Sequence, residues 1–199
     1  MGRTRMAWAA TAALVAATSA VAATSAVAAV PAGAATTTTK ATACPTGWGS
    51  QAETRSAATM KSVTNVRTGR HDCFDRMVVD VPGAGTGRLG YTVQYVSRVH
   101  QDGSGRPVTV GGGAVIEVRV NAPAYDADSG RPTYPARAGQ RLPGVNLTGY
   151  RTFRDARFVG SFEGDTQIGL GVRARLPFRV WVADGRIVVD VAHNWTGAR

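Results

Sequence analysis

Alternating hydrophobic and polar residues recur along the chain beyond its Ala-rich beginning, and this pattern predicts short β-strands. Two hexapeptides carry it most clearly, Arg76–Val81 and Arg186–Val191, which match at five of six positions. In each hexapeptide a valine stands on either side of an aspartate, which is the two-residue period of a strand with one buried side. We therefore expect two matching strands near the start and the end of one β-rich domain.

Other segments with a strand-like pattern lie between and around these hexapeptides. Asp184-Gly185 predicts a tight hairpin turn, whereas residues 121–145 are interpreted as one long loop. Because the pattern contains no long amphipathic helix, many short strands predict an all-β fold, an antiparallel sandwich or barrel. The predicted strands are Met60–Arg67, Phe74–Val81, Gly90–Val96, Pro107–Val110, Ala114–Val120, Val145–Phe153, Ala156–Glu163, Thr166–Val172, Phe178–Val182 and Arg186–His193.

The first 34 residues have the layout of a secretory signal peptide. Arg3 and Arg5 precede an uncharged Ala-rich stretch, and small residues at 26–28 and 32–34 offer A-x-A cleavage sites. The alternative is a retained membrane anchor, because the uncharged stretch is long enough to span a bilayer. We expect cleavage and secretion, with no integral membrane segment in the mature protein. Residues 35–58 are then a linker and N-terminal segment, and 195–199 a C-terminal tail.

Export determines how the two cysteines are interpreted. Cys44 and Cys73 are the only cysteines in the chain, and an oxidising compartment favours a disulfide between them. The bridge would pin the segment after Cys44 onto the domain and place Trp48 over part of the core. A metal-binding pair or a reactive thiol is the alternative, although neither has suitable ligands nearby in the sequence.

The chain after the leader is strongly basic. It keeps 21 of the 23 lysines and arginines against 13 acidic residues, and all but Lys40 and Lys61 of these bases are arginine. Arginine forks suit carboxylates and phosphates, which outside the cytoplasm belong to wall polymers. We therefore expect attraction to an anionic cell wall and no binding of nucleic acid. Candidates for a basic surface are Arg119, Arg151, Arg154, Arg157 and Arg179.

Four motifs in a fixed order carry a resemblance to a known family. They are Gly69–Arg76 with the strand after it, Ser161–Gly164, Ile168–Gly171 and Arg186–His193. Together they resemble the AMIN-like domain of secreted proteins from high-GC Gram-positive bacteria, over residues 59–194. The resemblance implies a small β-sandwich related to the AMIN domain, which accompanies cell-wall amidases and secretins and directs them to the envelope, through peptidoglycan. No amidase or other catalytic domain is expected in this chain.

The densest polar cluster surrounds the first hexapeptide. We expect Asp75 and Arg76 to pair at a strand end, with His71 hydrogen-bonded in a turn. A catalytic alternative makes His71 a base oriented by an aspartate and joined by His193, if the first and last strands are neighbours. Two histidines and a carboxylate would also suit zinc, but the spacing has no metal signature. No metal and no cofactor are therefore expected.

Three further motifs are interpreted as turns rather than as sites. Asp126–Gly130 resembles the start of a calcium loop, but the glycine and the glutamate that such a loop requires are missing. Glu163 and Asp165 flank a predicted hairpin turn at a glycine. Gly111–Gly113 lacks the ending of a phosphate-binding loop and precedes a strand instead of a helix.

These observations favour a secreted, non-catalytic β-sandwich that binds peptidoglycan or another anionic wall polymer through a basic, partly aromatic sheet face. Tyr91, Tyr95 and Trp181 are candidates for stacking on sugars. The alternatives are a cell-wall-modifying hydrolase that uses His71, Asp75 and His193, and an extracellular protein-interaction module. The candidate ligand-binding residues are Arg70, His71, Asp75, Arg76, Arg173, Arg175 and His193.

Overall fold

The structure is a computed structural model that describes residues 43–195. The predicted signal peptide at 1–34, the linker up to residue 42 and the tail at 196–199 lie outside the described residues. Over 43–195 the chain forms eleven strands, one short 3-10 helix at Thr86–Arg88 and no helix long and apolar enough to cross a membrane. The strands are β1 Glu53–Arg55, β2 Asn65–Arg70, β3 Phe74–Asp80, β4 Tyr91–Val96, β5 Val99–His100, β6 Pro107–Val108, β7 Ala114–Val120, β8 Phe153–Phe162, β9 Asp165–Val172, β10 Phe178–Ala183 and β11 Arg186–Ala192.

The strands form two antiparallel sheets packed as a sandwich, as the alternation predicted. One sheet has four strands in the order β10-β11-β3-β2, and the other has five in the order β1-β4-β7-β9-β8. Alternate side chains of both sheets meet in one apolar core. Its largest completely buried members include Met77 of β3, Phe178 of β10, Ile116 of β7 and Leu170 of β9.

The two hexapeptides pair with each other at the centre of the four-stranded sheet. Their antiparallel register places Arg76 opposite Asp190 and Asp80 opposite Arg186. The valines that flank the aspartates are completely buried, as predicted. These valines are Val79, Val81, Val189 and Val191. The same pairing makes β3 and β11 neighbours, so the last of the eleven strands lies beside β3 at the centre of this sheet.

The β5–β6 hairpin covers part of the outer face of the five-stranded sheet. Val99 of β5 and Val108 of β6 pack on Val159 of β8, in a small apolar cluster separate from the main core. On β8, Ala156 and Phe158 point into the main core. Because side chains alternate along a strand, the residues between them face outward beneath or beside the hairpin.

Two of the predicted strands are misplaced. The first begins at Asn65 instead of Met60, which is 76% exposed. The second, Val145–Phe153, is not a strand: the Thr148 N–H donates to the Asn146 side chain and the Tyr150 N–H to the Leu147 carbonyl. The apolar side chains of segment 145–153 still pack on the core. Its hydrophobic alternation therefore reflects side chains that successive turns bury, and not a strand. Residues 121–145 form the predicted loop.

The segment before residue 58 contains more structure than the sequence indicated. Cys44 and Cys73 form the predicted disulfide, with their Cα atoms 5.3 Å apart. The Phe178 N–H donates to the Gly49 carbonyl, and β1 adds an edge strand beside β4. The sequence missed β1 because its three residues, two of them charged, carry no apolar alternation. The segment is therefore attached to both sheets.

Candidate functional site

Aromatic and arginine side chains share the outer face of the four-stranded sheet. On β3, Met77 and Val79 belong to the core, so Phe74 and Arg76 point outward. On β10, Arg179 and Trp181 point the same way, and the disulfide-linked segment adds Trp48. We call this surface the aromatic–arginine face. It comprises Trp48, His71, Phe74, Arg76, Arg179 and Trp181 around Asp190.

Asp190 is the anchor of this face. Arg76 binds it with two parallel hydrogen bonds, from Nε at 2.6 Å and from Nη2 at 2.8 Å. Arg179 binds the same carboxylate from the other side, with Nε 2.9 Å from Oδ2. The Asp190 side chain is completely buried beneath these two guanidinium groups. The hydrogen bond to Asp190 raises the pKa of Arg76, and the shared carboxylate fixes the direction of both guanidinium groups.

Each guanidinium group lies over aromatic rings. Arg76 is 5.1 Å from the ring centre of Phe74 and 5.4 Å from that of Trp181. Arg179 is 4.5 Å from the ring centre of Trp48, and the His71 ring stacks on Phe74 at 4.5 Å. Cation–π contacts of this kind hold both partners in place. The result is a rigid surface on which arginines alternate with flat rings.

The charge of the face is positive and its main ring is open to solvent. Two guanidinium groups surround one carboxylate, which leaves a local excess of one positive charge. Trp181 is 39% exposed, although tryptophan is usually well covered. An exposed indole beside fixed N–H donors suits a ligand with flat apolar patches and anionic or hydroxyl groups.

Asp75 and Arg76 do not pair, contrary to the sequence-based expectation. They are neighbours on one strand, so their side chains point to opposite faces of the sheet. The Asp75 side chain points into the interior between the sheets. Its Oδ2 accepts hydrogen bonds there from the backbone N–H groups of Thr152 and Phe153, at 2.6 and 3.0 Å. The carboxylate therefore ties the start of β8 to β3.

His193 lies against Asp75, as the catalytic alternative required, but the pair is enclosed. The ring Nε2 is 4.0 Å from Asp75 Oδ1 and 2.9 Å from the His71 carbonyl oxygen, to which it donates. Its Nδ1 lies 2.9 Å from the Thr152 hydroxyl. His193 is 3% exposed and Asp75 is fully buried, while the His71 ring stacks on the outer face. The three side chains therefore do not form an open cleft.

The remaining candidate arginines lie apart from the aromatic–arginine face. Arg173 and Arg175 follow β9 in a bend instead of lying within a strand, as the sequence predicted. Arg173 donates to the His193 carbonyl, and Arg175 donates to the Ser50 carbonyl at 2.8 Å. Arg70 ends β2 and is exposed. Of the predicted ligand-binding residues, only Arg76 and His71 contribute side chains to the face.

Two of the three predicted stacking residues belong to the core instead. Tyr91 is 8% exposed and packs in the main core. Tyr95 packs against Phe178, and its hydroxyl both donates to the Leu176 carbonyl and accepts from the Leu176 N–H. Burial raises the pKa of Tyr95 above its usual value. Only Trp181 keeps an exposed ring.

The sequence predicted Trp48 over part of the core, and this prediction is wrong. Its ring centre is 5.6 Å from that of Phe74, on the outer face. Sequence reasoning missed Trp48, Phe74 and Asp190 as parts of one surface. The pairing of Arg179 with Asp190 could have been predicted from the sequence. The two residues are eleven positions apart across a two-residue turn, and this spacing places them opposite each other in the hairpin.

The other predicted basic residues have different surroundings. Arg119 pairs with Asp102 and also lies near Glu117 and Asp165, so its charge is balanced. Arg151 donates to the Asp72 carbonyl. Within 43–195 no group of three or more acidic, histidine or cysteine side chains is arranged to hold a metal ion.

Comparison with protein families finds a match that lies within the described residues. The model of the AMIN-like domain matches residues 61–193. The chain belongs to the AMIN-like domain family. Such domains are generally non-catalytic, cell-wall-associated binding domains, and with the disulfide this membership indicates an extracellular, envelope-associated protein. No curated protein and no solved structure shows a significant match to this AMIN-like chain.

Proposed function

We propose that this AMIN-like domain is secreted, has no catalytic activity and binds peptidoglycan through the aromatic–arginine face. The observation that carries the proposal is the exposed Trp181 ring beside two arginines that Asp190 holds in place. Family membership supplies the cell-wall context, and the face supplies a surface suited to a glycan.

Peptidoglycan offers the groups that this face would bind. Its sugar rings have apolar faces that stack on indole, and its peptides carry carboxylates that match guanidinium forks. Because Arg76 and Arg179 are fixed before binding, little side-chain entropy is lost when a carboxylate approaches their remaining N–H groups. The basic excess of the chain after its leader, 21 lysines and arginines against 13 acidic residues, adds a long-range attraction to an anionic wall.

Retention of the purified protein on isolated sacculi tests this proposal. We expect binding at low salt that weakens as the salt concentration rises, because screening reduces the charged part of the interaction. Sacculi with and without teichoic acid should both retain the protein, since the proposed ligand is peptidoglycan. Absence of retention at low salt on either preparation would contradict the proposal.

A pair of tryptophan variants locates the binding surface. W181A should lower retention by roughly tenfold, the loss expected for one stacking contact of about 1.4 kcal/mol. W195A is the matched control, because Trp195 is also exposed, at 50%, and lies outside the aromatic–arginine face. Equal retention of W181A and the wild type would show that the ligand binds elsewhere.

A further inference from the structure

A second concentration of arginines lies on the opposite side of the sandwich. Four arginines line one cavity of about 680 Å³ on the outer side of the five-stranded sheet. We call it the arginine cleft. Its arginines are Arg106, Arg141, Arg154 and Arg157. Asp155 is its only acidic lining residue, so the cleft has an excess of three positive charges.

Three separate parts of the chain bring these arginines together. Arg106 precedes β6 in the β5–β6 hairpin. Arg141 comes from a segment that pairs along the edge of β8, where the Leu142 N–H donates to the Ala156 carbonyl. Arg154 and Arg157 lie on β8 itself. A register shift between Phe153 and Asp155 places an extra residue, Arg154, in the strand as a bulge.

The floor of the cleft is already satisfied by internal contacts. Asp155 Oδ2 accepts hydrogen bonds from the Gly111 N–H at 3.0 Å and from Arg157 Nε at 2.8 Å. Arg154 donates to three backbone carbonyls, those of Tyr150, Arg151 and Phe153. Arg154 and Arg157 are therefore fixed in place. Asp155 is the one carboxylate that offsets their two positive charges in the cleft.

The rim of the cleft carries two guanidinium groups that make no hydrogen bond within the described residues. The Arg106 side chain makes no hydrogen bond or ion pair within residues 43–195. Arg141 has its nearest carboxylate oxygen at 3.9 Å, too far for a hydrogen bond, and its side chain is 78% exposed. Like charges collected in this way repel one another, and the fold gains no side-chain hydrogen bond from Arg106 or Arg141 and only one long ion pair, from Arg141.

We propose that the arginine cleft is a binding site for phosphate groups. Guanidinium forks match the geometry and charge of phosphate oxygens, and four of them around one cavity exceed what a single carboxylate needs. The volume lies in the range of small-ligand sites, so it has room for a group larger than one phosphate. A neighbouring cleft of about 570 Å³ shares Arg106 and contains the exposed ring of Phe162, so an apolar surface adjoins the proposed phosphate site.

Two sources would present this chemistry outside the cell, a free polyphosphate and a phosphodiester polymer. Titrations with sodium pyrophosphate and with poly(glycerol phosphate) at constant ionic strength separate them. The readout is the amide NMR signals of Gly111 and Gly139, which both line the cleft. Saturable shifts with pyrophosphate alone assign a free phosphate ligand, and tighter binding of the polymer assigns the phosphodiester. Absence of saturable shifts with both probes would overturn the proposal.

Charge-matched double variants test the site itself. R106Q/R141Q should bind the better probe at least about tenfold more weakly, because it loses two charge-assisted contacts to the probe, while the fold loses only the 3.9 Å ion pair between Arg141 and Asp155 and no hydrogen bond. R88Q/R98Q removes the same charge from exposed arginines outside the cleft and should bind within about twofold of the wild type. Equal weakening in both double variants would reduce the effect to net charge and overturn the proposal.

The arginine cleft and the aromatic–arginine face can fail independently. They lie on the outer sides of different sheets, so W181A should leave the pyrophosphate titration unchanged. R106Q/R141Q should in turn leave retention on sacculi without teichoic acid unchanged.

Discussion

At the scale of single residues, buried carboxylates organise this domain. Asp190 holds two arginines on the outer face, Asp75 ties β8 to β3, and Asp155 forms the floor of the arginine cleft. Burying a carboxylate is costly unless hydrogen bonds and opposite charge compensate for the lost water. Each of these three therefore has at least two donors fixed around it, and each positions groups on the surface above it.

Replacing Asp155 by asparagine should show how far hydrogen bonds and opposite charge offset the cost of burying this carboxylate. Burial alone would raise the pKa of Asp155, but the Gly111 N–H, the Arg157 guanidinium and the Ala156 N–H bring it below the usual value of 3.8. The charged form is thus favoured in the folded state, and its contribution to stability is present above pH 3.8. D155N should be less stable than the wild type by about 1–3 kcal/mol at neutral pH.

The pH dependence of that difference checks its origin. The stabilisation by Asp155 is lost as the pH falls through its lowered pKa, because the folded state must then take up a proton. Urea unfolding of both proteins between pH 7 and pH 2.5 should therefore show the two curves converging below pH 3.8. A difference that stays constant across this range would show that shape, and not charge, accounts for the effect.

The sequence predicted the polar residues at this scale but not their partners. His71, Asp75, Arg76 and His193 were recognised as a cluster, and the structure divides them between the two faces of one sheet. Adjacent residues on a strand always point to opposite faces, so Asp75–Arg76 pairing could have been excluded from the sequence. The bond between Arg76 and Asp190 required knowledge of the register, which depends on tertiary pairing.

At the scale of elements, the repeated hexapeptide is complementary to itself. When two copies of the pattern pair antiparallel, the first arginine faces the second aspartate, and the first aspartate faces the second arginine. Arg76 then binds Asp190, while Arg186 lies 3.5 Å from Asp80. Opposite charges on directly paired residues favour this register over one shifted by two residues. The repeat therefore specifies the pairing of β3 with β11.

The triple glycine takes part in a different kind of contact, a close approach of backbones. A Cβ atom on Gly171 of β9 would lie 1.7 Å from the Gly111 carbonyl oxygen, so only glycine fits there. G171A should lower the free energy of unfolding by at least about 1–3 kcal/mol, measured by urea unfolding. G87A, where nothing lies within 4 Å of the added methyl group, is the control. Comparable stability of both variants would contradict the packing described for Gly111.

Element boundaries show why the sequence could not give more of the fold. The strands with clean alternation, β4 and β7, lie within one residue of their predicted bounds. The segment 145–153 also alternates, but its backbone hydrogen bonds are made in turns, with Gly149 at a φ of 78°. The periodicity of hydrophobic residues indicates which side chains face the core, but it does not indicate which groups the backbone hydrogen-bonds with.

At the scale of the whole molecule, the disulfide joins the N-terminal segment to the sheet that carries the aromatic–arginine face. It closes a loop between residues 29 positions apart. C44S/C73S should therefore lower the free energy of unfolding by about 3–4 kcal/mol, because the unfolded chain gains conformational freedom. Urea unfolding checks the value, with the oxidised wild type as reference. An unchanged midpoint would show that the contacts of Gly49 and β1 already fix the segment.

The two surfaces give the domain two different proposed binding sides. The aromatic–arginine face offers rings and two fixed guanidinium groups, and the arginine cleft offers charge in a concave site. The sequence predicted a basic, partly aromatic sheet face, but not the separation of its arginines between opposite sides. Net charge and composition carry no information on this separation, because it follows from the order of strands in two sheets.

The tryptophan indole N–H signals of the protein test the central claim most directly. On titration with soluble peptidoglycan fragments, the NMR signals of Trp48 and Trp181 should shift in a saturable manner, because both rings belong to the aromatic–arginine face. The signal of Trp195, which donates to the Arg175 carbonyl outside that face, should stay in place. Stationary Trp48 and Trp181 signals at saturating ligand, or a shift confined to Trp195, would contradict the account.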